Sequence, residues 1–241
     1  MLLLVYKSMF AQKIKFIVRQ SPLLYFGILG WRRNVRRLRA DPTSELVVEA
    51  FPRSANTSSV YALVYANGER FKIGHHLHVA AHVKYAAKHQ IPCLVIMRNP
   101  IDCVASLMVM RKDPDNSKYL LMAYVGFSKA VEELLDHLVV VSFDDVVNKG
   151  LGFAINAVNR KFGASIAEPS GSNDEKKWVA NKIKAWNANK SGSDPDRLSM
   201  PTSAKREKTL AMHHSIRQEA PAELLRAEKC FARLINHAIK P

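Results

Sequence analysis

The stretch that decides the fold runs Cys93-Leu94-Val95-Ile96-Met97-Arg98-Asn99-Pro100-Ile101-Asp102-Cys103-Val104-Ala105-Ser106-Leu107. Its first five residues are apolar, which predicts a strand buried on both faces. The segment Ile101–Met110 has helical spacing, and Pro100 suits the first turn of a helix. The stretch therefore predicts a strand, a short loop and a helix, which is the repeating unit of an α/β fold.

Two further apolar runs predict strands of the same kind, Leu46–Phe51 and Leu138–Phe143. The segments with helical spacing around them are Val60–Ala66, Val79–His89 and Tyr119–His137. Strands that alternate with helices predict a three-layer α/β sandwich with a central, mainly parallel sheet. Ligands of such sheets bind at the carboxyl ends of the strands, so the residues after each strand are the first candidates for a site.

Composition limits the class of protein and its partners. The 241 residues suit a single domain, 1–241, and carry 36 Lys and Arg against 21 Asp and Glu, a net charge of +15. Such a surplus indicates an anionic partner. Three cysteines without a C-x-x-C pair argue against a disulfide framework or a structural zinc site, and favour a reducing, cytoplasmic location.

The charge is concentrated in residues 1–40, where nine basic side chains precede the first acid, Asp41. The apolar run Leu23–Trp31 is too short to span a bilayer, which takes roughly 20 residues. Two interpretations stay open for this basic arm. It is either helix packed on the domain with a solvated basic face, or a segment that contacts a membrane surface or an anionic acceptor.

The loop after the first predicted strand has the composition of a phosphate site. It reads Pro52-Arg53-Ser54-Ala55-Asn56-Thr57-Ser58-Ser59 and leads into a helix, whose N-terminus favours an anion. Arg53 adds a fixed positive charge. The loop is not a Walker loop, because it lacks the Gly-Lys pair, and this argues against an ordinary kinase or ATPase. A serine-rich helix cap without a ligand is the alternative.

The loop after the second predicted strand offers a further pair of ligands for an anion. Arg98 lies at the mouth of the helix, and Ser106 lies two turns inside it. Both could hold a second phosphate from one side.

Together the two loops resemble the nucleotide motifs of PAPS-dependent sulfotransferases. Pro52–Ser59 is similar to the 5′-phosphosulfate loop, P-[KR]-S-G-[TN]-[TS], and Arg98–Ser106 matches the 3′-phosphate motif, R-[ND]-P-x-D-x-x-x-S, at every fixed position. The resemblance covers roughly 45–145 and implies a P-loop nucleoside triphosphate hydrolase-like fold, PAPS as donor, PAP as product and no required metal. The donor-binding residues it implies are Arg53, Ser54, Ala55, Asn56, Thr57, Ser58, Arg98 and Ser106.

The first loop departs from the quoted family pattern at one position and differs from the commonest family residue at two more. Ala55 stands where the family has Gly, and it would be strained if the loop needs a positive φ there. Asn56 replaces a common Thr. Arg53 replaces Lys, so its contact with a phosphate would be a fork instead of a point charge.

Transfer of a sulfonate needs a base for the acceptor proton, and the resemblance implies His76. The family has K-T-H-[LF] ahead of its second strand, and His76-Leu77 matches its end, with Gly74 in place of the Lys. His75 and His78 are alternative bases. Two other interpretations of this histidine segment are an exposed loop without a catalytic role and a metal site made of His75, His76, His78 and His82. Arg53 would stabilise the leaving phosphate.

The end of the chain is less informative. A basic segment that closes over the nucleotide in the family has no clear counterpart, although Lys205 or Arg206 lies at a similar place. Residues 165–200 suggest a lid or an acceptor-binding excursion. We expect a carbohydrate or glycolipid hydroxyl, or an amine, as acceptor. One alternative function is a P-loop-like kinase or nucleotide-binding protein. Another is a basic membrane-binding or nucleic-acid-binding module, but this second alternative would leave both loops unexplained.

Overall fold

A computed structural model describes residues 14–191, 196 and 202–241, without the side chains of residues 189–191. Its sheet has four strands in the order β2-β1-β3-β4, and each neighbouring pair is parallel. The strands are β1 (Leu46–Ala50), β2 (Ile73–His75), β3 (Cys93–Met97) and β4 (Val139–Ser142). Helices cover both faces, so the predicted three-layer α/β sandwich with a central parallel sheet is confirmed.

The first described element is a helix, α1 (residues 14–20). The helices that follow are α2 (Pro22–Leu29), α3 (Arg33–Leu38), α4 (Asn56–Asn67), α5 (Ala80–Lys88), α6 (Pro100–Arg111), α7 (Ser117–Glu132), α8 (Phe143–Lys149), α9 (Gly152–Phe162), α10 (Asn173–Ser191), α11 (Ser203–Glu219) and α12 (Pro221–Asn236), with a short 3₁₀ helix at Leu135–His137. In the described part of the chain no helix is long and apolar enough to cross a membrane.

The alternation of side chains along the strands divides the core between the two faces of the sheet. On one face, Val47 and Val95 pack against α5, α6, α7 and α12. On the other face, Val48 and Ile96 pack against α4 and α9. Strands buried on both faces must be apolar throughout, which explains their continuous hydrophobic runs.

The structure corrects several predicted boundaries. The strand β2 was missed, because three residues that include Gly74 give no periodic signal. Phe143 does not end a strand; it begins α8, because the Ser142 hydroxyl accepts hydrogen bonds from the amides of Asp144 and Asp145 and so caps a helix. The helix predicted over Val60–Ala66 begins earlier, at Asn56.

Two segments outside the sheet layers are helical. Residues 14–38 of the basic arm form α1, α2 and α3, and Tyr25 and Val35 pack against Leu77 and Val79. Within the proposed lid, 165–200, α10 lies against α4, where the Trp178 ring contacts Tyr61 and Tyr65. At the start of α11 the Thr202 hydroxyl accepts a hydrogen bond from the Lys205 amide and so caps the helix.

Candidate functional site

The loop between β1 and α4 has two residues in the left-handed region. Arg53 has φ 73° and Ala55 has φ 60°, so the positive φ anticipated at position 55 is present. A left-handed conformation costs a residue with a Cβ about 1–2 kcal/mol. Such backbone conformations beside a helix N-terminus are typical of the concave N–H arrays that bind anions.

Three of the predicted site residues come together across the ends of β1 and β3. Arg53 Nε donates to Ser106 Oγ at 3.1 Å, and Arg98 Nη1 donates to the Arg53 carbonyl oxygen at 2.6 Å. The Arg98 guanidinium also lies 4.3 Å from the centroid of the Phe143 ring. Tyr124 Oη donates to the Arg98 carbonyl at 2.8 Å, which fixes the backbone at that position. Two guanidinium groups and one hydroxyl are therefore held at the same edge of the sheet.

The electrostatics of this cluster favour a bound anion. Burial, and then the charge of Arg98, lower the pKa of Arg53 to about 10, which still leaves it protonated at neutral pH. Two like charges held this close destabilise each other until an anion lies beside them. Buried polar atoms beside the cluster also lack a hydrogen-bond partner within the described chain, and they include Ser54 Oγ, Ser59 Oγ and Arg98 Nε. These residues fit a multiply charged phosphate ligand.

The remaining loop side chains have different surroundings. Asn56 Nδ2 donates to the Val48 carbonyl at 3.1 Å, and Ser58 Oγ donates to the Ala55 carbonyl at 2.9 Å. Both side chains therefore hold the loop itself, and their backbone amides are the groups left for an anion. Thr57 Oγ1 lies 2.9 Å from His76 Nε2 and so connects α4 to the histidine segment.

The histidine segment, residues 74–78, joins β2 to the approach of α5. His76 and His78 have φ values of 58° and 53°, both in the left-handed region. The His75 and His76 Nδ1 atoms are 2.5 Å apart, and burial lowers the pKa of His75 to about 4, so its imidazole is neutral at pH 7. A Cβ at Gly74 would lie 2.8 Å from Ala40 Cβ, which explains why no Lys stands there.

The carboxylate of Glu49, which is fully buried on β1, holds the histidine segment in place through hydrogen bonds. Its oxygens accept hydrogen bonds from the Leu77 amide at 3.0 Å, the His78 amide at 2.9 Å and His82 Nδ1 at 2.7 Å. His82 Nε2 in turn accepts from the Ala40 amide at 2.8 Å, so His82 is the neutral, Nδ1-protonated tautomer. Burial by itself raises the pKa of Glu49, but the hydrogen bonds from His82 and the backbone outweigh it, and the pKa is lowered.

His78 lies beside β1 and beneath the basic arm. The His78 Nδ1 donates to the Ala50 carbonyl at 2.7 Å, and the His78 carbonyl accepts from Arg19 Nη2 at 2.8 Å. Burial lowers the pKa of His78, although the Glu49 charge opposes this. A cavity lined by Phe16, Phe51 and Phe127 opens beside the His78 ring.

Arg206 is exposed in the first turn of α11, whereas its neighbour Lys205 is buried. Between α11 and the site helix α6, His213 Nε2 lies 3.1 Å from an Asp102 carboxylate oxygen. Among the described residues, no group of three or more His, Cys, Asp or Glu side chains is arranged to hold a metal ion.

The sequence did not predict how two residues, Glu49 and Phe143, shape the site. Glu49 carried a usable signal, because a charged residue inside an apolar strand is almost never fully buried without a partner. Phe143 carried none, because its contact with Arg98 depends on the helix that begins there. The sequence predicted that Arg98 and Ser106 bind one phosphate together. The structure adds Arg53 to that pair, because Arg53 is hydrogen-bonded to Ser106.

Comparison with known proteins gives a likeness to solved structures alone. No protein-family model and no curated protein matches the chain. Solved structures do match, among them a crystal structure of mouse sulfotransferase SULT7A1 complexed with PAP. That likeness covers 81% of this chain and 90% of that one, with 11% sequence identity and a TM-score of 0.44.

Proposed function

We propose that this protein is a sulfotransferase, which moves a sulfonate group from PAPS to a hydroxyl or amine of an acceptor and releases PAP. The observation that carries the proposal is the cluster of Arg53, Arg98 and Ser106 at adjoining strand ends, beside the N-terminus of α4. A donor with separate 3′ and 5′ phosphate groups would use two such cationic groups at once.

Each anionic group of the donor has a set of residues to receive it. Arg98 and Ser106 would hold the 3′-phosphate, which ordinary adenine nucleotides lack. Arg53, the Ser54 hydroxyl and the backbone amides of residues 54–58 would hold the 5′-phosphosulfate at the helix N-terminus. The unpartnered Ser54 Oγ and Arg98 Nε support these roles. Arg206, exposed in the first turn of α11, would close over the nucleotide.

The transfer step follows from this arrangement. The acceptor oxygen or nitrogen forms a bond to sulfur while the bond from sulfur to the 5′-phosphate oxygen breaks, and the electron pair stays on that oxygen. Arg53 stabilises the charge that develops there. The proton of the acceptor passes to Nε2 of His76, which is 2.9 Å from Thr57 in the first turn of α4 and so lies beside the proposed phosphosulfate.

The acceptor and the location in the cell are part of the proposal as well. A carbohydrate or glycolipid hydroxyl is the acceptor class we expect, and the cytoplasm is the expected location, since all three cysteines are free and buried. The acceptor would approach over the histidine segment.

The experiment separates donor binding from catalysis at two neighbouring histidines. His76→Ala should bind PAP as the wild type does, but lower turnover of labelled PAPS at least a hundredfold, which is the usual contribution of a general base. His78→Ala is the matched control and should keep more than a tenth of the turnover. If His78→Ala loses turnover and His76→Ala keeps it, the base assignment is wrong. If neither wild type nor variants release PAP from PAPS, the proposed function is wrong.

A further inference from the structure

An unusual share of the exposed apolar surface lies in the basic arm. Of the 11 large apolar side chains exposed in the described chain, six fall within residues 14–31. Those six are Ile14, Ile17, Leu23, Leu24, Ile28 and Trp31. Leu23 is 83% exposed and Trp31 is 75% exposed, whereas the other five are scattered singly over the rest of the fold. Single exposed apolar residues need no explanation, but a cluster does.

Half of the cluster lies on α2, a helix whose two faces have different partners. Tyr25 and Phe26 lie on the inner face of α2, where the Phe26 ring contacts the rings of His82 and Tyr85. At 100° per residue, Leu23, Leu24 and Ile28 share the opposite face, and Trp31 follows in the turn after the helix. The packing of the inner face holds α2 on the domain, so the apolar outer face is presented to solvent as a fixed surface.

A row of arginines borders this surface. Five exposed arginines follow within nine residues, namely Arg32, Arg33, Arg36, Arg37 and Arg39. The Arg32 guanidinium lies 6.0 Å from the centroid of the Trp31 ring. No Asp or Glu occurs before Asp41 to balance these charges. The surface therefore combines apolar side chains with closely spaced cations.

We propose that α2 and α3 form a docking surface for a bilayer that contains anionic lipids. With eight residues, α2 cannot cross a membrane, but a helix lying in the interface needs only an apolar face and cations at the headgroup level. Trp31 and the arginines after it suit that level, and Leu23 and Ile28 suit the acyl boundary. A nucleic acid or an acidic protein would use the arginines but would leave the apolar face without a role. This surface is independent of the proposed transferase activity.

The test is flotation of the full chain with vesicles of phosphatidylcholine alone or with one part phosphatidylserine to three parts phosphatidylcholine. The wild type should bind the anionic vesicles at least tenfold more tightly than the neutral ones. In the variant Arg33→Gln/Arg36→Gln, the affinity for anionic vesicles should fall about fivefold for each arginine removed. In Leu23→Ser/Trp31→Ser, the affinity for the same vesicles should fall at least tenfold. This loss should remain at a salt concentration that screens the charges.

Matched controls carry the same changes elsewhere on the surface. Arg226→Gln/Lys229→Gln removes two exposed cations from α12, and Leu210→Ser/Leu225→Ser removes two exposed leucines. Both should bind vesicles like the wild type, and all variants should keep wild-type PAP affinity and unfolding midpoints. Equal losses in arm and control variants, or no vesicle binding by the wild type, would overturn the proposal. So would arginine-dependent binding of an RNA oligomer with no binding of vesicles.

Discussion

At the residue scale, Ala55 is held in a conformation that suits glycine. Its φ of 60° is imposed by the turn from β1 into α4, because the helix must begin at Asn56 to aim its amides at the loop. Ala55→Gly should raise the free energy of unfolding by about 0.5–1 kcal/mol, since the relief of strain exceeds the entropy that glycine adds to the unfolded chain.

Urea unfolding checks this prediction. Ala211→Gly, at an exposed site in the middle of α11, is the matched control and should lower the free energy of unfolding by about 1 kcal/mol. A loss of stability at both positions would mean that Ala55 is not strained.

At the element scale, the histidine segment depends on one carboxylate. Glu49 accepts hydrogen bonds from two backbone amides and one imidazole, and a glutamine can serve no more than part of that set, because its amide nitrogen is itself a donor. Glu49→Gln should therefore lower the free energy of unfolding by about 2–4 kcal/mol. The exposed Glu133→Gln should change it by less than about 0.5 kcal/mol. A Glu49→Gln loss as small as that of Glu133→Gln would contradict the network described.

At the scale of the whole molecule, stability should depend on pH through buried histidine. The pKa of His75 is about 4 in the folded chain and 6.5 when unperturbed, so as pH falls the unfolded chain takes up the proton first. The free energy of unfolding should fall from about pH 6.5 downward, with His75 contributing about 2 kcal/mol of loss between about pH 7 and pH 5. His78 acts in the same direction, since its pKa is also lowered.

Below about pH 4.5, the usual pKa of a glutamate, the lowered pKa of Glu49 extends the loss, because the unfolded chain then takes up a proton that the folded chain binds only at lower pH. Urea unfolding across this pH range, measured for His75→Gln and for the exposed His214→Gln, checks that His75 causes the pH dependence of stability. The slope between pH 7 and pH 5 should flatten in His75→Gln and stay unchanged in His214→Gln. An unchanged slope in both variants would contradict it.

The strands and the site loops were predictable because their signals are local. Cys93–Met97 matches the predicted strand at both ends, since a buried parallel strand requires a continuous apolar run. The start of α4 at Asn56 was not predictable, because it follows from left-handed backbone at Ala55. The contacts of Arg53 with Ser106 and of Glu49 with His82 join residues 53 and 33 positions apart, so only the tertiary structure supplies them.

The central claim is that Arg98 and its neighbours bind a nucleotide that carries a 3′-phosphate. Calorimetric titration with PAP and with ATP tests it directly, using the wild type, Arg98→Ala and, as control, the exposed Arg160→Ala on α9. We expect the wild type and Arg160→Ala to bind PAP more tightly than ATP, and Arg98→Ala to lose at least about tenfold in PAP affinity, the value of one charged hydrogen bond. Equal PAP affinity in all three proteins, or binding of ATP without PAP, would contradict the account.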